Sequence, residues 1–317
     1  MTTPSMMCAA AINEFGPAEN LTLHRLPVPA TGDGEVLVRV EAAGVQLTDA
    51  AIRGGWTPPG AVIAFPQVLG NEFAGTIVAA TGAVDGFRIG DAVAGFRMLG
   101  CYAEYVAVPA DQVVAIPRNV DRRSAGAMSA SGQTAHTALE RLSAMPGETV
   151  LVHGAAGGVG TIAVQLARHR GLRVIGTGST SNQDYIRSLG AVPVVYGDGE
   201  RDRIRAAAPD GVDLAFDAAG HGNLAIAAEF VADRARVGTI VEPGLASDLG
   251  CQWITSDRSA SRLSELLALC ADGDLRVHVR AVHPLEDAAA AHRDVETGHG
   301  RGKVVLDIAG PPAGDAA

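Results

Sequence analysis

The sequence is poor in cysteine, lysine and aromatic residues, and it contains no long hydrophobic run. Its four cysteines, Cys8, Cys101, Cys251 and Cys270, stand far apart and form no C-x-x-C pair, which argues against a zinc knuckle and against a disulfide framework. We therefore expect a reducing, cytoplasmic environment. Segment 1–15 has no basic stretch ahead of an apolar core, and no apolar run reaches the roughly 18 residues of a membrane span, so neither a secretory signal nor a transmembrane helix is predicted.

Positive charge is scarce and comes almost wholly from arginine, since Lys303 is the only lysine. The 317 residues carry 25 basic and 35 acidic side chains, a formal net charge of −10. Nucleic acids and anionic membranes are bound by clustered Lys and Arg, and no such cluster occurs here. We therefore predict neither partner. With 47% hydrophobic residues, a chain of this length buries a substantial core, which excludes intrinsic disorder.

The pattern of the chain changes near residue 120. From residue 34 to 117, short segments of β-forming residues are separated by glycine and proline, as in a small barrel or sandwich. After Asn119, helical and strand-like segments alternate, beginning with one helix predicted over Arg122–Arg141, and this alternation predicts a parallel sheet covered on both faces. The tail Gly310–Ala317 is rich in Gly, Pro and Ala and is predicted to be disordered.

The strongest motif is a glycine cluster between a predicted strand and a predicted helix. Strand Thr149–His153 leads into Gly154-Ala-Ala-Gly-Gly-Val-Gly160, and an apolar helix follows from Thr161. A dinucleotide-binding turn requires this order, because glycine lets the backbone approach the pyrophosphate and the helix start supplies free N–H donors. An ordinary tight turn is the alternative, and the repeated strand–helix alternation around the cluster favours the dinucleotide.

The end of the next predicted strand, Arg173–Gly178, bears on the choice of dinucleotide. An acidic residue there holds the ribose 2′-hydroxyl of NAD, whereas its absence leaves room for the 2′-phosphate of NADP. The residues from Ser179 to Gln183 are neutral, and no carboxylate occurs before Asp184. We therefore predict NADP(H). Ser, Thr and Asn are also preferred helix N-caps, so the same residues can cap a helix that begins at Asn182, and the two roles are compatible.

Several further motifs follow in order along nearly the whole chain: Val36–Asp49, Val68–Gly75, Val84–Asp91, Gly154–Gly160, Ile186–Ala191 and Gly302–Leu306. With them the chain resembles a zinc-independent medium-chain dehydrogenase/reductase of the quinone oxidoreductase type. The resemblance implies an α/β protein with a Rossmann doubly wound parallel sheet at 121–257. It also implies a GroES-like β-rich catalytic domain at 1–120, completed by 258–317, with the active-site cleft where the domains meet. Such enzymes are usually homodimers.

The metal ligands of the zinc-dependent relatives are missing from this sequence. Those relatives have a cysteine where Gln46 stands, a histidine where Asn71 stands, and a four-cysteine lobe that has no counterpart here. Amides are poor Zn²⁺ ligands beside thiolate and imidazole. We therefore predict that no metal is needed and that Glu72 has a structural role.

Without a metal, another group must polarise the acceptor oxygen, on which hydride addition builds negative charge. Gln46 matches a family position that usually holds an asparagine facing the nicotinamide, and its amide can donate to an oxyanion or to the cofactor carboxamide. Thr134 matches a family threonine near the nicotinamide and is the second predicted catalytic residue. The structural alternatives are a turn-stabilising amide for Gln46 and a bond to the helix backbone for Thr134.

The resemblance also implies a substrate pocket and a set of cofactor contacts. The predicted pocket residues are Asp49, Trp56 and His136. Trp56 replaces a tyrosine of many relatives, and because an indole is only a donor, we expect the proton to come from water. The predicted cofactor residues are Ala156, Gly157, Gly158, Val159, Ser179, Asn182, Tyr196, His221 and Lys303. A purely structural role is the alternative for Trp56 and for Lys303. Glu242-Pro243 replaces a small Gly-rich turn and is expected to reshape the rim of the nicotinamide pocket.

Three functions are compatible with these features. The first is an NADPH-dependent oxidoreductase that transfers hydride to a quinone or an α,β-unsaturated carbonyl. The second is a pathway-specific reductase of one elaborated substrate, towards which Trp56, His136 and Glu242 point. The third is a cofactor-binding protein without turnover, because binding and catalysis need the glycine loop equally. Retention of Gln46 and Thr134 favours catalysis, so we predict the first, acting on a small molecule in the cytoplasm.

Overall fold

The computed structural model of the chain describes residues 3–84 and 86–308, so the tail predicted to be disordered lies outside the described residues. The strands are β1 (Met6–Ile12), β2 (Thr22–Pro27), β3 (Glu35–Val45), β4 (Gln67–Val68), β5 (Glu72–Ala80), β6 (Ala92–Phe96), β7 (Tyr105–Pro109), β8 (Val113–Ala115), β9 (Thr149–His153), β10 (Arg173–Gly178), β11 (Val192–Val195), β12 (Leu214–Asp217), β13 (Val237–Thr239), β14 (Gln252–Trp253), β15 (Val279–Pro284) and β16 (Lys303–Asp307). The α-helices are α1 (Leu47–Arg53), α2 (Arg122–Gly126), α3 (Ser129–Arg141), α4 (Gly158–His169), α5 (Gln183–Ser188), α6 (Glu200–Ala207), α7 (Asn223–Phe230), α8 (Pro243–Leu249), α9 (Ala260–Asp272) and α10 (Ala288–Glu296).

The chain divides into two compact units. The first comprises Met1–Ala130, Ser259–Ala271 and Val279–Ala317, and the second comprises Ser131–Arg258 and Asp272–His278. The boundary predicted after residue 120 assigns α2 to the Rossmann domain, whereas α2 packs against β3 and β5 in the first unit.

The first unit is built on a sheet with the strand order β15-β16-β3-β5-β6-β8, in which β7 also pairs with β3. Its pairs are antiparallel apart from β15 and β16. Alternate residues of β3, Val36, Val38 and Val40, are fully buried and pack in one core with Phe73 and Tyr102. Strands β1, β2 and β4 form a smaller antiparallel sheet. The predicted β-rich domain is confirmed.

The second unit is a parallel sheet with the strand order β11-β10-β9-β12-β13-β14. From β9 the chain adds β10 and β11 towards one edge of the sheet, and from β12 it adds β13 and β14 towards the other edge. The boundary between β9 and β12 is therefore the topological switch point, at which such sheets bind ligands. Both central strands are buried along their whole length, as expected where helices cover both faces of a parallel sheet. The predicted doubly wound sheet is confirmed.

The single helix predicted over Arg122–Arg141 is wrong, because two helices, α2 and α3, occupy this segment. A Cβ on Gly126, the last residue of α2, would lie 2.8 Å from the carbonyl oxygen of Ala42. Glycine therefore lets α2 end in close contact with β3. The break leaves the N–H of Ala130, in the first turn of α3, available to a side chain of the first unit. None of the helices described combines the length and hydropathy needed to cross a bilayer.

A buried histidine makes the first unit sensitive to acid. His292 on α10 is fully buried and packs edge-on against Tyr102, with 5.8 Å between the ring centroids. Neither ring nitrogen has a hydrogen-bond partner among the residues described. Burial, assisted by the charge of Arg53, lowers the pKa of His292 from 6.5 to about 3. Because the folded pKa lies below the unfolded one, stability is full above pH 6.5 and is lost as the pH falls towards 3.

We expect His292→Phe to remove this part of the acid sensitivity. Between pH 8 and pH 5, the wild-type protein should lose about 2 kcal/mol more of its free energy of unfolding than the variant does. Chemical denaturation of both proteins at the two pH values measures the difference, with His299→Phe as the exposed control. An identical pH response in wild type and His292→Phe would show that His292 does not titrate on unfolding.

Candidate functional site

The glycine cluster forms the turn between β9 and α4. Gly154 has a φ of +73°, and Gly157 is the N-cap residue of the helix. A Cβ on Gly160 would lie 2.0 Å from the carbonyl oxygen of Gly154, so the helix can approach the strand this closely only with glycine at that position. The first N–H groups of a helix have no acceptor within it, and α4 has 12 residues. The turn therefore offers N–H donors and the positive end of a helix dipole to an anion.

A buried carboxylate orders the adjacent turn after β12. Asp217 is fully buried and accepts hydrogen bonds from the N–H groups of Ala219 and Gly220, at 2.9 and 3.0 Å, and from Thr239 Oγ1 at 2.8 Å. Burial raises the pKa of Asp217 despite these bonds. This turn touches the glycine cluster, since a Cβ on Gly154 would lie 3.1 Å from the Cβ of Ala219. Asp217 is not among the predicted site residues, although its position at the end of a strand is a signal that the sequence carries.

Amide side chains, rather than carboxylates, make the hydrogen bonds that hold the segment after β10. Asn182 Nδ2 donates to Ser179 Oγ at 3.1 Å. Gln183 was not predicted as a site residue, but its Nε2 lies 3.0 Å from the carbonyl oxygens of both Gly178 and Ser179. Asn182 is the N-cap residue of α5, but its side chain makes no capping bond. The carboxylate of Asp184 is 96% exposed and pairs with Arg187.

The remaining predicted residues of the second unit lie at several places on it. Tyr196 directly follows β11 and is half-exposed, and His221 is exposed in the turn after β12 with a φ of +58°. Thr134 and His136 lie on α3. Thr134 is half-buried, whereas His136 is 5% exposed and its Nδ1 lies 3.5 Å from Glu140 Oε1.

In the first unit, a buried carboxylate holds Gln46. This residue is the half-buried N-cap of α1, and its Nε2 donates to Oε1 of the fully buried Glu72. Glu72 also receives Lys303 Nζ at 3.0 Å and the N–H of Ala130 at 2.6 Å. Gly44 makes room for this cluster, because a Cβ there would lie 2.0 Å from Glu72 Oε1. Glu72 therefore fixes the direction of the Gln46 amide.

Lys303, predicted as a cofactor contact, has a charged partner inside the first unit. Its side chain is 3% exposed and its ammonium pairs with Glu72 inside the first unit. A buried carboxylate is costly unless an opposite charge and hydrogen bonds compensate for it, and Lys303 supplies that charge. This pairing fits the structural role that the sequence analysis gave as the alternative for Lys303.

Asp49, predicted as a pocket residue, is fully buried. Its carboxylate accepts from the backbone N–H of Gln46 at 2.9 Å, from Asn71 Nδ2 at 2.9 Å and from the Tyr102 hydroxyl at 2.8 Å. Burial raises the pKa of Asp49 to about 6, against the effect of these bonds. Asp49 therefore anchors the start of α1, on which its bond to the N–H of Gln46 lies. Trp56, which follows α1, is 49% exposed.

The described residues offer few groups suited to a metal. Within 3–84 and 86–308, no group of three or more His, Cys, Asp or Glu side chains is arranged to hold an ion. Gln46 and Asn71, which stand in the positions of the cysteine and histidine ligands of zinc-dependent relatives, are both hydrogen-bonded to buried carboxylates.

The sequence matches two family models and many known proteins. The alcohol dehydrogenase GroES-like domain matches residues 32–118, and the zinc-binding dehydrogenase domain matches residues 189–306. Quinone oxidoreductase of Rattus norvegicus is 31% identical over 96% of this chain and 99% of its own. An NAD-dependent alcohol dehydrogenase of Sulfolobus acidocaldarius is 30% identical over 95% and 100%. Polyketide synthase GfsB of Streptomyces halstedii is 32% identical over 96% of this chain, which spans only 6% of that protein.

Solved structures agree with these matches. The quinone oxidoreductase from Coxiella burnetii has a TM-score of 0.87 at 27% identity, covering 96% of this chain and 99% of that one. The Escherichia coli quinone oxidoreductase complexed with NADPH has a TM-score of 0.84 at 25% identity, covering 95% and 100%.

Proposed function

This chain belongs to the medium-chain dehydrogenase/reductase family, and from that premise we propose that it is an NADPH-dependent reductase that transfers hydride to a quinone or an α,β-unsaturated carbonyl. Its oxidoreductase class follows from its relatives. The cofactor and the substrate class are our proposal. The observation that carries the proposed hydride transfer is the amide of Gln46. The buried Glu72 fixes this amide at the position where zinc-dependent relatives have a metal ligand.

The turn between β9 and α4 fits the pyrophosphate of a dinucleotide. A Cβ on Gly160 would lie only 2.0 Å from the carbonyl oxygen of Gly154, so only glycine permits this close approach of the two backbone segments. The residues that would hold the pyrophosphate are Ala156, Gly157, Gly158 and Val159. When bound, the nicotinamide supplies the hydride. The likeness to a quinone oxidoreductase complexed with NADPH supports this cofactor class.

The neutral end of β10 supports NADP(H) over NAD(H). We propose that Ser179 and Asn182 lie beside the 2′-phosphate, with Tyr196 along the same edge and His221 beside the cofactor on the turn after β12. The side chains of Ser179 and Asn182 are already linked at 3.1 Å, so their donors are presented together. One relative is named an NAD-dependent alcohol dehydrogenase, which makes cofactor choice the first property to test.

We expect Ser179→Asp to reverse the cofactor preference. A carboxylate at this position repels a 2′-phosphate and accepts a hydrogen bond from a free 2′-hydroxyl, so the Kd for NADPH should rise about tenfold or more relative to that for NADH. Calorimetric titration with each cofactor measures the ratio. Ser188→Asp, on the exposed end of α5, adds the same charge and should leave the ratio unchanged. If the ratio is unaltered in Ser179→Asp, the 2′-phosphate does not lie at Ser179.

Gln46 is proposed to stabilise negative charge on the acceptor oxygen. Its amide nitrogen carries two hydrogens. Glu72 takes one of them, which leaves the second to donate to an oxyanion as the hydride arrives. Lys303 balances the charge of Glu72 at 3.0 Å, so the amide is held by a neutralised pair. Thr134 is proposed to hydrogen-bond the nicotinamide carboxamide, and a water molecule is proposed to deliver the proton.

We propose that the reaction needs no metal. The proposal rests on donor chemistry, because carboxamides such as those of Gln46 and Asn71 are poor Zn²⁺ ligands beside thiolate or imidazole. Each amide also donates one N–H to a buried carboxylate, Gln46 to Glu72 and Asn71 to Asp49.

Trp56 and His136 are proposed as pocket residues. The half-exposed indole of Trp56 presents a flat face on which a quinone ring or a conjugated carbonyl can stack. The match to a segment of a polyketide synthase favours a second candidate, a reductase of one elaborated substrate. We further propose a cytoplasmic homodimer without nucleic-acid or membrane partners, on the basis of the family resemblance and the net charge of −10.

The proposed function is tested by following cofactor consumption by the purified protein against a panel of quinones and conjugated enones. NADPH and NADH are compared in parallel reactions. We expect turnover with NADPH and little with NADH. Binding of NADPH without turnover on any panel member would contradict general quinone and enone reduction and would favour the specific-substrate reductase.

A further inference from the structure

Glu242 carries a carboxylate oxygen without a donor at the carboxyl edge of the parallel sheet. It follows β13 and is the N-cap residue of α8. Its Oε1 accepts from the N–H of Gly222 at 3.0 Å, and its own N–H points to Thr239 Oγ1 at 3.4 Å. Oε2 is buried and has no hydrogen-bond partner in the described part of the chain.

The surroundings of Glu242 increase the need for a donor. A buried carboxylate oxygen without a hydrogen bond is unfavourable. The nearby Asp217 carries a like charge, and the charge of Glu242 contributes to the raised pKa of Asp217, after burial as the main cause. The donors around Asp217, including Thr239 Oγ1, are already bonded to it. A ligand that brings an N–H or O–H group would satisfy Oε2.

Glu242 is linked by contacts to the glycine cluster. A Cβ on Gly220 would lie 3.6 Å from Cγ of Glu242, and a Cβ on Gly154 would lie 3.1 Å from Ala219 in the same turn. Gly220, His221 and Gly222 have φ values of +71°, +58° and +79°, and these left-handed conformations make a tight turn between Glu242 and the glycine cluster. Ligands of open α/β sheets bind at this edge, outside the carboxyl ends of the strands.

We propose that Glu242 accepts a hydrogen bond from the half of the cofactor that lies beyond the pyrophosphate, either from a ribose hydroxyl or from the nicotinamide carboxamide. This inference rests on the proposed NADPH dependence. The adenosine half is proposed to lie at the end of β10, and Glu242 follows β13, on the other side of the switch point between β9 and β12. Glu242 is therefore a binding residue of the nicotinamide nucleotide.

The test is Glu242→Gln, with calorimetric titration of three probes: NADPH, 2′-phospho-ADP-ribose and 2′,5′-ADP. The amide oxygen can keep the Gly222 bond, but an NH₂ group then replaces Oε2 and cannot accept. We expect the Kd for NADPH to rise about tenfold, as for loss of a hydrogen bond to a charged group, while the Kd for 2′,5′-ADP stays unchanged. A matching rise for 2′-phospho-ADP-ribose assigns the contact to the ribose, and a rise for NADPH alone assigns it to the carboxamide.

A control variant and a second variant of Glu242 distinguish the effect of its negative charge from the effect of its hydrogen bond to the cofactor. Asp248→Asn removes an exposed charge from the same helix, α8, and should change none of the three constants. Glu242→Asp keeps the charge but shortens the side chain, and should show the same pattern as Glu242→Gln. The inference is overturned if both variants bind NADPH like the wild type, or weaken 2′,5′-ADP equally. If wild type binds none of the probes, the proposed function itself fails.

Discussion

Gln46→Ala is expected to lower kcat about 100-fold, as for loss of one oxyanion donor, while the Kd for NADPH stays unchanged. The amide is fixed before substrate arrives, because Glu72 accepts one of its hydrogens and the backbone N–H of Gln46 is bonded to Asp49 at 2.9 Å. Such preorganised donors act mainly on the transition state, where the charge develops. The loss should therefore be in kcat, measured by steady-state NADPH oxidation, and not in cofactor affinity.

Two conservative variants make the test of Gln46 specific. Gln46→Asn retains a carboxamide, the group that family members usually carry here, and should recover part of the activity lost in Gln46→Ala. Gln46→Glu keeps the shape but replaces the donor by a carboxylate beside Glu72, and should be at least as inactive as the alanine variant. Unchanged turnover in Gln46→Ala would reject the proposed role and leave Gln46 as a cap of α1.

Lys303→Met is expected to destabilise the protein by about 3 kcal/mol, because removal of one member of a buried ion pair leaves an uncompensated charge. Glu72 would keep the bonds from Gln46 and from the N–H of Ala130, which places the loss at the lower end of the usual range. Chemical denaturation at neutral pH measures it. The Kd for NADPH should stay unchanged, since Lys303 pairs with Glu72.

Matched variants separate the buried pair from ion pairs in general. Arg187→Met removes an exposed pair with Asp184 and should change the free energy of unfolding by less than about 1 kcal/mol. Glu72→Gln, added to Lys303→Met, removes the unpaired charge and should restore part of the stability. If Lys303→Met has wild-type stability and binds NADPH more weakly, Lys303 contacts the cofactor instead of supporting Glu72.

The glycine cluster illustrates what the sequence predicts well. The strand predicted over Thr149–His153 has those bounds in the structure, because an uninterrupted run of β-formers ends at a residue that requires a positive φ, Gly154. The helix predicted from Thr161 begins at Gly158, since the glycines that form the turn are also accommodated in its first turn. Local signals of this kind need no knowledge of distant contacts.

The Glu72 cluster illustrates what local patterns do not predict. Glu72 and Lys303 are 231 residues apart, and no periodicity or spacing connects them. The N–H of Ala130 reaches Glu72 only because α2 and α3 are separate, and the helical pattern of that segment shows no break. Lys303 was predicted to contact the cofactor and Asp49 to line the pocket, and folding buries both with compensating partners.

The central claim, hydride transfer from NADPH to a conjugated acceptor without a metal, is tested most directly by one rate measurement. NADPH oxidation with a simple quinone is followed for protein dialysed exhaustively against a metal chelator, and again after Zn²⁺ is added. We predict that the dialysed protein keeps its full rate and that Zn²⁺ does not raise it. A rate that chelation abolishes and Zn²⁺ restores would contradict the assignment of the acceptor oxygen to Gln46.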